Sequence, residues 1–128
     1  GLRLKATAAL RRRPGFREVI FALSRVTNII PAGFKGAAVD PSALDGGERP
    51  LYEAHERVRG RAAELAAAGK FEELYDLLSI LKPSIDSFFD KVLVMEKDEA
   101  VRNRRLSLLG RVEESIRLFA DVRRLVIS

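Results

Sequence analysis

Residues 83–109, PSIDSFFDKVLVMEKDEAVRNRRLSLL, constrain the fold more than any other stretch. Ile85, Phe88, Phe89, Val92 and Leu93 recur at i, i+3, i+4, i+7 and i+8. That spacing predicts one wide apolar stripe along a helix. Pro83 suits the first turn, where a missing N–H costs nothing. Asp86 and Asp90 fall four apart and so share a face beside the stripe. A polar break follows at Glu96-Lys97-Asp98. Asp98 is placed to cap a second helix, and Glu99 suits its positive end. That helix opens with Arg102, Arg104 and Arg105. An acidic helix face, a turn and an arginine cluster predict ion pairs across the turn, an anion site, or both.

The same periodicity runs through the rest of the chain. Residues 2–11 can form a short amphipathic helix on Leu2, Leu4, Ala8 and Leu10, ended by Arg11-Arg12-Arg13 and the turn Pro14-Gly15. Residues 16–30 predict a helix with Phe16, Val19, Ile20, Leu23, Thr27 and Ile30 on one side. Arg17, Phe21, Arg25 and Asn28 form a second stripe nearly opposite. Residues 31–47, with two Pro and four Gly, are a long internal loop with one helical turn at Pro41 to Leu44. A helix over 48–68 takes Pro50 in its first turn, buries Leu51, Tyr52, His55, Val58, Ala62 and Leu65, and stops at Gly69. Residues 70–81 form another, on Phe71, Leu74, Tyr75, Leu77, Leu78 and Leu81. The last, from about 98 to 126, buries Val101, Leu108, Leu109, Val112, Ile116, Phe119 and Ala120. Gly110 inside it marks either a close helix–helix contact or a weak spot. No stretch alternates with period two over a useful length. The expected fold is one all-α domain over 1–128, a bundle of five or six helices.

Charge is unevenly placed. Residues 1–36 hold eight basic and one acidic side chain, 37–100 hold eight and fourteen, and 101–128 hold seven and three. Basic groups from both ends are therefore expected to converge on one flank, a polarity suited to a polyanion. Seventeen of the 23 basic residues are Arg, which forks phosphates and stacks on bases better than Lys; a codon bias towards Arg would give the same count. The chain has no Cys, hence no disulfide and no thiolate metal site, and a cytoplasmic location is expected. No apolar run approaches the ~20 residues of a membrane helix, and no membrane partner is expected.

Catalytic sets are missing from the sequence. His55 is the only histidine, it lies on an apolar stripe, and nothing in the sequence pairs it with a Ser. It reads as a packed structural residue. Asp86 and Asp90 fit ion pairing better than acid–base chemistry. No catalytic residue and no metal ligand is assigned. The candidates that remain are contacts to nucleic acid. Arg11, Arg12 and Arg13 can meet a phosphate backbone or simply solvate a helix end. Arg17, Phe21, Arg25 and Asn28 have the composition of a base-stacking platform, unless a second layer covers the helix and Phe21 is core. Lys35, between Gly33 and Gly36, is placed to approach a phosphate. Arg102 and Arg105 share a face, where pairing with Asp86 and Asp90 is favoured over RNA. Arg104 points elsewhere and is expected to be freer to meet RNA.

Ile85 to Met95, reading I-D-S-F-F-D-K-V-L-V-M, resembles the C-terminal anticodon-binding domain of the bacterial glycyl-tRNA synthetase beta subunit, a member of the helical DALR-like group. Arg102, Arg105 and Leu106 follow the pattern of the next helix, with Arg104 where it has Asn. Arg25, Asn28 and Ile29 match a further stretch, with Ser24 in place of Lys. The resemblance covers 16–30 and about 70–125. It implies binding of the tRNA(Gly) anticodon loop, with Arg25 and Asn28 reading or stacking its bases, and no chemistry in the domain itself. ATP and Mg would then belong to the alpha subunit, which becomes the expected protein partner. A DALR-type domain of arginyl-tRNA or another synthetase, or a helical protein-interaction scaffold, are the alternatives.

Overall fold

A computed structural model describes the chain from residue 9 to residue 127, with side chains as far as residue 119. Within that span there are five α-helices: α1 (Phe16–Ile29), α2 (Arg49–Ala67), α3 (Phe71–Ser79), α4 (Lys82–Lys91) and α5 (Glu99–Ile127), with a 3-10 turn at Pro41–Ala43. Residues 9–11 are helical and Leu10 is buried; the rest of the helix expected over 2–11, and Ala120, lie outside the described residues.

The punctuation works as its chemistry dictates. Pro50 and Pro83 sit in the first turns of α2 and α4. Gly69 takes φ +71°, the left-handed conformation that ends α2. Asp98 caps α5, its Oδ1 accepting from the Val101 N–H at 3.1 Å.

Helix α2 packs against α3, α4 and α5, α1 packs against α4 and α5, and α3 against α5. The core they share includes Val26, Leu51, Leu74, Leu78, Leu81, Ile85, Phe88, Leu108, Leu109 and Val112, none more than 1% exposed. In α1 the inward residues are Val19, Ala22, Leu23 and Val26. The helix is therefore turned from the expected stripe, and Phe16 and Ile20 are only partly covered. Ala22 is only 1% exposed, a small buried side chain that a stripe chosen by bulk overlooks.

The stripe of α4 stops early. Leu93 was expected inside and is 63% exposed. The helix ends at Lys91, and Val92 is extended (φ −123°, ψ 126°). Side chains then alternate: Val92 and Val94 are buried while Leu93 and Met95 face out.

Gly110 is not a contact point, since a Cβ there would meet nothing within 4 Å. Close approaches occur at two loop glycines instead. A Cβ on Gly36 would lie 3.3 Å from Ser107 Cα, and one on Gly47 would lie 2.9 Å from Val92 Cγ2. The long loop thus lies tightly on α5, where the Ala37 N–H donates to Ser107 Oγ at 3.0 Å.

Candidate nucleic-acid interface

Burial of one face of α1 dictates what the other presents. Arg17, Phe21 and Asn28 are exposed and Arg25 is half-buried. Phe21 is 67% exposed, so it is not covered by a second layer. The guanidinium of Arg25 lies over the ring of Phe89, 4.2 Å from its centroid, a cation–π contact. Phe89 meets the buried Phe88 edge-on, with centroids 5.6 Å apart and planes at 84°. Arg25 is thus held by a ring that the core itself orients.

The triplet before α1 divides. Arg11 and Arg12 are exposed. Arg13 turns to α3, 3.3 Å from Asp76 and 3.7 Å from Glu72. Lys35 is exposed at the rim of a cavity of about 350 Å³ shared with Phe34, Asn103 and Arg104.

The arginines of α5 do not pair as expected. Asp86 takes Lys82, one turn away on its own helix, and Asp90 is exposed. Arg102 donates to the carbonyl of Glu96 at 3.0 Å. Arg104 forks the fully buried carboxylate of Glu48, with both bonds at 2.8 Å. Arg105 donates to the same carboxylate at 2.7 Å, to Asp45 at 3.1 Å and to the Leu93 carbonyl at 2.7 Å. The expectation that Arg104 points away from such pairing is therefore wrong. A buried acid attracts the nearest guanidiniums whatever their distance along the chain. Burial pushes the Glu48 carboxyl up, and the bonds from Arg104 and Arg105 more than reverse it, leaving it below its usual value.

Glu48 was absent from the sequence reading, although a local signal exists. In Asp45-Gly46-Gly47-Glu48, Asp45 Oδ1 accepts from the Glu48 N–H at 2.9 Å, and Glu48 Oε1 accepts from the Asp45 N–H at 3.0 Å. This is the reciprocal pairing of a capping box, and it presents Glu48 to α5. Two more polar rungs follow between α2 and α5. Arg111 bonds Glu56 at 2.7 Å, and His55 Nε2 meets Ser115 Oγ at 2.8 Å. From Glu48–Arg104 to Glu56–Arg111 both partners advance, so the two helices run in the same direction.

The sequence offered no serine for His55, and the structure supplies Ser115. Both side chains are buried, at 1% and 5% exposure, and His55 Nδ1 has no hydrogen-bond partner. A nucleophile needs substrate access and an oriented base, and this pair has neither. Burial pushes the His55 pKa down to about 4, so the ring is neutral. Among the described residues, no cluster of three His or acidic side chains could hold a metal, and no helix is long and apolar enough to cross a membrane.

Several of the basic groups are consequently engaged within the domain. Arg104 and Arg105 are spent on acids, and Arg13 is held at α3. Among the candidate contacts before and on α1, Arg11, Arg12 and Arg17 are exposed and Arg25 is half-buried; Arg57, Arg59 and Arg61 on α2 are exposed as well.

Comparison with known proteins agrees with the helical fold. The beta subunit of glycine–tRNA ligase from Sulfurihydrogenibium sp. is 36% identical over 98% of this chain and 19% of its own length. Its counterpart from Anaeromyxobacter sp. strain K is 39% identical over 96% and 18%, and that from Neisseria meningitidis serogroup B 34% over 94% and 18%. The chain therefore spans under a fifth of the length of these curated relatives. No solved structure matches. The family model of the DALR anticodon binding domain matches residues 19–122, from α1 into the second half of α5. This chain belongs to the DALR anticodon-binding domain family.

Proposed function

We propose that this chain is the anticodon-binding domain of a glycine–tRNA ligase beta subunit and that it holds the anticodon arm of tRNA(Gly). The observation that carries the reading is the near-complete alignment of the chain with beta subunits at 34–39% identity, within a family defined by anticodon binding. The exposed arginines before and on α1 supply the phosphate contacts that such binding needs. The domain contributes tRNA positioning and no chemistry. Glycine activation, with its ATP and Mg, falls to the alpha subunit, the protein partner in the complete enzyme, and the assembly works in the cytoplasm.

A titration with tRNA(Gly) at several salt concentrations tests this. Binding is expected with a Kd on the order of micromolar or weaker, falling steeply with salt as counterions are released. A tRNA whose two anticodon cytosines are replaced is expected to bind less well. Equal affinity for both would remove base reading, and absence of salt-dependent binding would favour a protein-interaction scaffold.

A further inference from the structure

We infer that the outer face of α1 is a stacking site for an unpaired RNA base, with Phe21 as its platform and Phe89 as a positioning residue that acts through Arg25. This rests on the tRNA reading above and names the element that would take the base.

Phe21 is 67% exposed on a helix that packs on the core through Val19, Ala22, Leu23 and Val26. Arg17 lies one turn before it, Arg25 one turn after, and Asn28 a further turn along the same face. A flat hydrophobic surface is thereby bracketed by two guanidiniums that can grip phosphates or stack, and by one amide that can pair with a base edge.

Arg25 is not left to wander. Its guanidinium rests on Phe89 at 4.2 Å, and Phe89 is fixed edge-on by buried Phe88. A cation already restrained loses less freedom when a ligand arrives. Phe89 thus contributes to RNA affinity without touching RNA.

The test uses this chain with two probes: tRNA(Gly), and a short single-stranded RNA carrying one 2-aminopurine, whose fluorescence falls on stacking. The wild type is expected to quench the oligonucleotide. Phe21→Ala is expected to abolish quenching and weaken tRNA binding roughly ten- to a hundred-fold, with no change in melting temperature because the ring is exposed. Phe89→Leu keeps apolar bulk and is expected to weaken tRNA binding several-fold, with little further loss when Arg25→Ala is added. Additive losses would make Phe89 merely structural and overturn its role. If Phe21→Ala binds and quenches like the wild type while tRNA binding persists, the platform is overturned and the tRNA reading stands. Quenching through Phe21 without tRNA binding would support the platform and remove the tRNA reading. If neither probe binds, both fall.

Discussion

Glu48→Ala is expected to be the most damaging single polar substitution in this domain. The carboxylate is fully buried and accepts four hydrogen bonds: two from Arg104, one from Arg105 and one from the Asp45 N–H. Removing one partner of a buried ion pair typically costs 3–5 kcal/mol, because the other charges remain without compensation. Here the stranded groups have some relief. The side chain of Arg104 is 29% exposed, and Arg105 keeps Asp45. The lower end, about 3 kcal/mol, is therefore expected, a drop of roughly 10 °C in melting temperature for a domain of this size. Glu48→Gln, which preserves shape and loses charge, should fall in between. Thermal melts followed by circular dichroism measure both. The gap between wild type and Glu48→Gln should survive added salt, since a buried pair is weakly screened. It should also depend on pH in one direction. Glu48 is held below its usual value near 4.5, so its contribution is present above that pH and lost as the pH falls further through the folded-state value. A Glu48→Ala melting within 2 °C of the wild type, taken as roughly the spread of such melts, would refute the reasoning.

Other substitutions test separate parts of the structure. Gly110→Ala should stabilise by about 1 kcal/mol, because its Cβ enters open space on a helix; a lower melting temperature would show a neighbour that the geometry denies. Phe88→Ala should cost about 3–5 kcal/mol by chemical denaturation, since its ring is 1% exposed at the centre of the core, and a loss below about 1 kcal/mol would contradict that placement. The His55 ring should stay neutral until near pH 4 when titrated by NMR. Because the unfolded chain takes up that proton first, acidification from pH 6.5 towards 4 should progressively remove its share of stability; a midpoint near 6.5 would mean the ring is solvated.

Helices were legible in the sequence where period and punctuation agreed. Pro50, Gly69, Pro83 and Asp98 marked ends that the structure keeps. What escaped had physical reasons. Val92 to Met95 is too short for periodicity to separate helix from extended chain, so Leu93 was placed inside. The arginines of α5 were assigned to Asp86 and Asp90 because those acids were near in sequence, whereas Glu48 lies 56 residues from Arg104. Local spacing cannot see such a partner, although the Asp45–Glu48 capping box could have drawn attention to it. Phe21 was ambiguous because an aromatic at helical spacing reads alike on either face; only the positions of Ala22 and Val26 decide which face is covered.

The three polar rungs between α2 and α5 have a mechanical consequence. Glu48, at the entrance to α2, engages Arg104, Glu56 engages Arg111, and His55 reaches Ser115 one turn further along α5. A one-residue shift in the register of α5 would turn Arg104, Arg111 and Ser115 by about 100° away from their partners. Such a pair cannot creep gradually. The register between α5 and the loop at Asp45 is thereby fixed, with Arg105 reaching Asp45 itself.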